Sequence, residues 1–206
     1  MKKIMSLAAA LVLLTTTAMA QGSFSVGYMN PTHPNTNDVL NGVYAGIDFN
    51  IHLTGDLGVA PGVYYSYATK NSTNNVSAFG ITATGKTNYT EQYVSVPLNF
   101  NYGLDLAKDM TIRVYAGPTF SYGLSSTYKA DGSIAGISAS TGTQSLYTDN
   151  GTYSNIDILV GGGVAFDYAQ QFRISLGYNY GLKDRNTSDN VVYKRNYLHM
   201  GIAYLF

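Results

Sequence analysis

The chain reads as all-β: an eight-stranded antiparallel up-and-down transmembrane β-barrel with short periplasmic turns and long extracellular loops. Three observations predict this. Segments of about ten residues alternate apolar and polar side chains with the two-residue period of a strand. The links between them are alternately short and long. Charged residues make up only 12% of the chain, below the roughly 25–35% that dresses an aqueous surface.

The first residues stand apart from this pattern. Lys2 and Lys3, an apolar run from Ile4 to Leu14, and Ala18-Met19-Ala20 follow the plan of a secretory signal peptide. Cleavage after Ala20 assigns residues 1–20 to the leader and 21–206 to the barrel domain. The apolar run is shorter than the roughly 20 residues that a spanning helix needs. With no cysteine, the chain has neither a lipidation site nor a disulfide framework. Setting Lys2 and Lys3 aside, ten basic side chains face twelve acidic ones. That balance, without a basic stripe, excludes nucleic acid as a partner.

The strands follow in order. "SFSVGYMN" puts Phe24, Val26 and Tyr28 on one face. "GVYAGIDFNIHL" sets Val43, Ala45, Ile47, Phe49, Ile51 and Leu53 against Tyr44, Gly46, Asp48, Asn50 and His52. After the tight "TGD", "LGVAPGVYYSYA" aligns Leu57, Val59, Val63, Tyr65 and Tyr67, and "YVSVPLNFNYGL" aligns Val94, Val96, Leu98, Phe100 and Tyr102. "TIRVYAGPTFSYGL", "IDILVGGGVAFDY" and "FRISLGYNYGL" repeat the plan, and "NYLHMGIAYLF" is the eighth strand. Pro61, Pro97 and Pro118 fall inside strands of a barrel that has no edge, so each is expected to create a bulge or an irregular hydrogen bond.

The apolar face is expected to look outward. About forty positions lie on it and none is charged, as lipid contact demands, since Lys or Arg at the bilayer midplane costs roughly 2–4 kcal/mol. Aromatic residues cluster toward both strand ends, as two interfacial belts would place them. Closure of the barrel pairs the last strand with the first, because an open edge is not satisfied in lipid. Phe206 then falls in the turn-side belt.

Carried on "YVSVPLNFNYGL", "VYAGPTFSYGL", "ILVGGGVAFDY", "ISLGYNYGL" and "IAYLF", the barrel domain resembles the family of small outer-membrane β-barrels known as porin-family or PorT-like proteins. The resemblance implies a Gram-negative outer membrane, a periplasmic N-terminus and outward loops. It also implies that the terminal strand, with Tyr204 and Phe206, is the signal read by the barrel-assembly machinery. It implies no shared catalytic residue and no cofactor.

The interior should hold a charge-paired polar cluster of Asp48, His52, Arg113, Asp167 and Arg173 with Tyr115, Asn99 and Asn101, because buried charges must be paired. Inward Tyr44, Tyr64, Tyr93, Tyr115 and Tyr197 fill a lumen of this size and argue against a porin channel. The histidines, His33, His52 and His199, show no metal-ligand spacing and stand beside no nucleophile motif, so catalytic and metal sites are not expected. The long segments 69–90 and 125–154 keep partial alternation and should extend strands four to six above the membrane as a hairpin sheet. Tyr128, Tyr147 and Tyr153 in and near them have the composition of an adaptable binding surface. The function expected is a monomeric, non-enzymatic scaffold in lipid and lipopolysaccharide with loop-mediated binding or adhesion to an extracellular ligand. The alternatives are a component of an envelope secretion or assembly system, a lipid A-modifying enzyme, or a small pore.

Overall fold

The computed structural model describes residues 20–32, 39–78, 81–135, 137–147, 153–186 and 192–206. Its strands are β1 (Ala20–Thr32), β2 (Asn41–Thr54), β3 (Leu57–Ala78), β4 (Ile81–Ala107), β5 (Met110–Ile134), β6 (Ile137–Ser145), β7 (Ile156–Tyr168), β8 (Phe172–Gly181) and β9 (Asn196–Leu205). All of them except β6 form one antiparallel ring, in which β4 pairs with β5 and β1 with β9. The ring holds the eight strands that the alternation predicts. At its seam of closure, Gly22 and Phe206 exchange backbone hydrogen bonds of 2.9 Å in both directions. The Phe206 ring lies over Gly22, where a Cβ would come within 2.5 Å of it.

The outward face is apolar and open. Phe24, Ile174 and Ile202 are 50%, 62% and 61% exposed, which only lipid makes tolerable for so many large side chains at once. Tyr65, Tyr67, Tyr122, Tyr178 and Tyr180 are exposed toward the loop end, and Tyr102, Tyr168, Phe172 and Tyr204 toward the turn end. Tyr204 meets Phe172 edge to face at 6.0 Å. Small inward residues give the interior room. At Gly163 a Cβ would lie 2.2 Å from the Leu176 carbonyl oxygen and 2.5 Å from the Tyr115 hydroxyl, so glycine lets the wall curve around that ring.

The prolines interrupt the ladder without shifting it. Between β2 and β3, pairing lapses at Phe49/Pro61 and Asn50/Ala60 and resumes in the same register. It lapses again between β3 and β4 at Gly62/Pro97 and Val63/Val96, and between β4 and β5 at Leu98/Pro118 and Asn99/Gly117. Each lapse contains one proline, whose nitrogen cannot donate. Of the two outcomes expected at the prolines, the irregular hydrogen bond is the one that forms, without a bulge. Register changes fall instead at His52/Thr54, Gln92/Tyr93, Asp105/Ala107 and Lys129/Asp131.

Segments 69–90 and 125–134 are largely strand rather than loop. β3 and β4 stay paired up to Ala78 and Ile81, and β4 and β5 up to Ala83 and Ile134. β6 then adds to β5 from Thr127/Ser145 to Ile134/Ile137. The protruding sheet therefore continues β3, β4 and β5 and ends on β6. The ring's sixth strand, β7, begins at Ile156 and takes no part, which corrects the expectation for strands four to six.

Candidate functional site

The polar interior has a charge cluster toward each end and a cavity between them. Toward the turns, strand pairing sets Asp167 of β7 directly across from Arg173 of β8. Arg173 Nε donates to Asp167 Oδ1 at 2.6 Å and its Nη2 donates to Oδ2 at 2.9 Å, a bidentate fork. Arg113 of β5 adds Nε to Oδ2 at 2.6 Å, and its Nη1 reaches Asn101 Oδ1 at 3.4 Å. Asn101 in turn donates to Asn50 at 2.8 Å. Asp48 is buried nearby, where it accepts from the Ser23 hydroxyl at 2.7 Å and from the Tyr64 hydroxyl.

Four of the five residues expected here, Asp48, Arg113, Asp167 and Arg173, thus share the interior. His52 does not. It has the inward parity of Asp48 and Asn50, but β2 ends at Thr54 and the ladder shifts between His52 and Thr54, so the ring stands exposed at the rim. His199 hydrogen-bonds Tyr115 and Asn179 at 3.2 Å each inside the lumen. His33 lies outside the described residues.

A second cluster, absent from the sequence reading, closes the loop end. Glu91 of β4, Asp157 of β7, and Arg185 and Arg195 from the β8–β9 connection are each only 1–2% exposed. Arg195 Nη2 lies 3.1 Å from Asp157 Oδ2, and Arg185 bonds Glu91. The Arg195 guanidinium stacks 3.8 Å over the Tyr93 ring, and that of Arg185 stands 5.2 Å from Tyr193. Two acids and two guanidiniums cancel in charge, which is what permits their burial. Burial opposes the charge on Arg185, yet Glu91 and Tyr147 together more than offset it and hold the group above its ordinary range.

Two of the tyrosines expected on a loop surface belong to this cap. The Tyr147 hydroxyl donates to Glu91 Oε1 at 2.5 Å, and its ring fills the space where Gly123 lacks a Cβ. Burial, reinforced by the charge of Glu91, raises the pKa of that hydroxyl. Tyr153 stacks on Tyr193 with centroids 4.5 Å apart. Tyr128 does sit in the protruding sheet, across from Tyr89 and Gln144 and partly buried. The cap had one signal in the sequence. Extended beyond the apolar stretches, strand parity points Glu91 the same way as Tyr93 and Ser95, and Arg195 the same way as Tyr197 and His199.

Between the clusters lies a cavity of about 140 Å³. Rings of Tyr44, Tyr64, Tyr115 and Tyr197 face it beside Asn99 and Thr119. Among the described residues no group of three or more His, Cys, Asp or Glu side chains is placed to hold a metal ion.

A closed ring of eight strands, apolar outside and polar within, with tight turns at one end and a rising sheet at the other, defines an integral outer-membrane β-barrel. The chain belongs to the outer membrane protein beta-barrel domain family, whose model matches residues 16–185. Among solved structures it is similar to Ail, the attachment invasion locus protein of Yersinia pestis, solved with the heparin analogue sucrose octasulfate. The identity is 17%, the TM-score 0.45, and 91% of this chain and 99% of that one are covered. Neisserial surface protein A gives 15% identity and a TM-score of 0.45, with 91% and 97% covered. The outer membrane enzyme PagL gives 11% and 0.47, with 90% and 98% covered. No curated protein matches the chain.

Proposed function

We propose that this protein is a non-enzymatic surface protein that binds an extracellular partner through its protruding sheet. The observation that carries the reading is β6, which extends the sheet beyond the ring and is exposed along all nine of its residues. From the belt at Tyr122, β5 runs on to Ile134, a rise of about 30 Å for a tilted strand. The β6 sequence "ISASTGTQS" contains no charge and no proline, two of the devices that keep natural edges from pairing. Only the irregularity at Thr141 and Gly142, opposite Ala130, interrupts it. Such an edge takes a partner strand by main-chain hydrogen bonds, and its Ser and Thr side chains adapt to varied surfaces. In this reading residues 1–20 are a cleaved leader. The mature barrel is a monomer in lipopolysaccharide, delivered there by the barrel-assembly machinery.

The test replaces residues 130–143 with a short turn, which leaves Tyr147 and the cap in place. Cells carrying the shortened protein are compared with wild type for binding to host surface polymers and to neighbouring cells, with heat-dependent gel mobility as the check on folding. Binding is expected to fall while the barrel stays folded. Unchanged binding with a folded barrel refutes the reading and favours an envelope scaffold or secretion role.

A further inference from the structure

We propose that the inner face of the protruding sheet docks on the same face of a second copy of this chain, carried by a neighbouring cell. The inference rests on the reading of that sheet as a binding element and names its partner. Strand register sets two rows across all four strands. Val76, Ala83, Ile134 and Ile137 stand side by side. The next row on that face, about 7 Å nearer the membrane, is Asn74, Gly85, Gly132 and Ala139. The same alternation runs down β4 through Thr87 and Tyr89 to the buried Glu91, so this face continues the lumen side of the wall. The opposite face carries Asn75, Thr84, Ser133 and Ser138 in one row and Thr73, Lys86, Asp131 and Ser140 in the next. Near its tip the wall has therefore exchanged its polarity: apolar within, polar without.

The apolar row is uncovered. Val76, Ile134 and Ile137 are 67%, 54% and 75% exposed, and the wall beside β5 stops short of them, since β7 begins at Ile156, level with Tyr122. The row beneath is hollow. A Cβ at Gly132 would meet nothing, and one at Gly85 only the Asn74 carbonyl oxygen at 3.9 Å. A ridge and a groove thus run parallel on a face that carries no charge in these rows. A second copy arriving from the opposite direction, related by a two-fold axis parallel to the rows, sets each ridge in the groove of the other. Ile134 of each copy then lies over Gly132 of the other, and Ile137 over Ala139, an isologous contact. This fit to itself favours a copy of the chain over an unrelated partner. Lys86, Lys129 and Asp131 point from the opposite face, so two identical surfaces meet without like-charge repulsion. A few side chains per copy make a single contact weak beside the roughly 800 Å² a side of a stable interface, but two cell surfaces join many such contacts at once.

The full-length barrel is reconstituted in phosphatidylcholine vesicles carrying one of two fluorophores, and clustering is followed by energy transfer between them. Wild-type vesicles are expected to cluster with one another and to ignore protein-free vesicles. Ile134→Ala removes the ridge and Gly132→Ile fills the groove, and each alone should slow clustering by about tenfold or more. Mixed together, the two variants should cluster again. The open groove of one receives the ridge of the other, and the filled groove meets the missing ridge. Heat-dependent mobility reports folding, and Ile137→Ala with Ala139→Ile replaces the pair if either variant does not fold. The proposal is overturned if wild-type vesicles stay dispersed, or if they capture protein-free vesicles, which would make the tip a lipid-binding element. It is equally overturned if Gly132→Ile, which makes the face more apolar, clusters as fast as wild type, or if the mixture stays dispersed. Should these variants keep wild-type cell binding while loss of residues 130–143 abolishes it, this proposal falls and the reading of the β6 edge stands.

Discussion

The two charge clusters do similar work under opposite conditions. At the turn end one carboxylate, Asp167, serves two guanidiniums whose side chains keep 20% and 14% of their surface. At the loop end four charges meet with 1–2% exposure and exact neutrality of count. At the turn end Asp48, buried nearby, balances the second guanidinium in count, and both arginines keep some contact with water. The loop-end cap has no such relief: tyrosine hydroxyls and ring faces meet part of its need, while Glu91 Oε2, Arg185 Nε and Nη1 and Arg195 Nε are buried without a hydrogen-bond partner. The drier network is the less complete of the two and rests more on charge pairing than on hydrogen bonds, so the same residue types carry different energetic weight at the two ends.

Substitutions that open each network in turn test this contrast. Arg195→Met leaves Glu91 and Asp157 buried with one guanidinium between them and should cost about 3–5 kcal/mol, read as a lowered urea midpoint for the folded band. Leu98→Arg, on the lipid face midway between the clusters, should cost about 2–4 kcal/mol and reduce assembled protein in the outer membrane. Normal assembly of that variant would invert the assignment of the outward face. Arg173→Met leaves Asp167 its bond from Arg113 and should cost about 1.5–3 kcal/mol. That loss should shrink as salt is raised, because the turn end is wet, whereas the Arg195→Met loss should not. Equal salt dependence at both ends would abolish the contrast. His52→Ala should move the midpoint by less than about 0.5 kcal/mol; a loss as large as that of Arg173→Met would return His52 to the turn-end cluster.

The sequence disclosed the ring because alternation is a physical requirement of a wall with lipid on one side. A run such as Phe172, Ile174, Leu176, Tyr178 has no other economical reading. It disclosed the turn-end cluster for the same reason, since Arg113, Asp167 and Arg173 lie within the alternating stretches. The cap was hidden because half of it comes from irregular chain. Arg185 and Arg195 flank a connection whose path no periodicity specifies, and Tyr147 and Tyr153 reach Glu91 and Tyr193 only once the fold brings them there. His52 failed from the other side. Its parity was right, but parity does not say where a strand leaves the lumen. The prolines marked the irregular places correctly and left open a bulge or an irregular hydrogen bond; the neighbouring strands hold their register, so the second is what forms.

β4 and β5 are single strands of 27 and 25 residues that run from the outermost hairpin to the innermost turn. A pull on the hairpin therefore acts along the strands, and their ladder resists in shear, with many hydrogen bonds loaded together instead of one after another. The bond row is thinnest at the lapse between Leu98 and Pro118, so tension concentrates there before it reaches Lys108 and Asp109 on the far side of the membrane. The barrel is in this respect a tie rod with a built-in weak section, and force on the cell surface has a direct mechanical route to the periplasm.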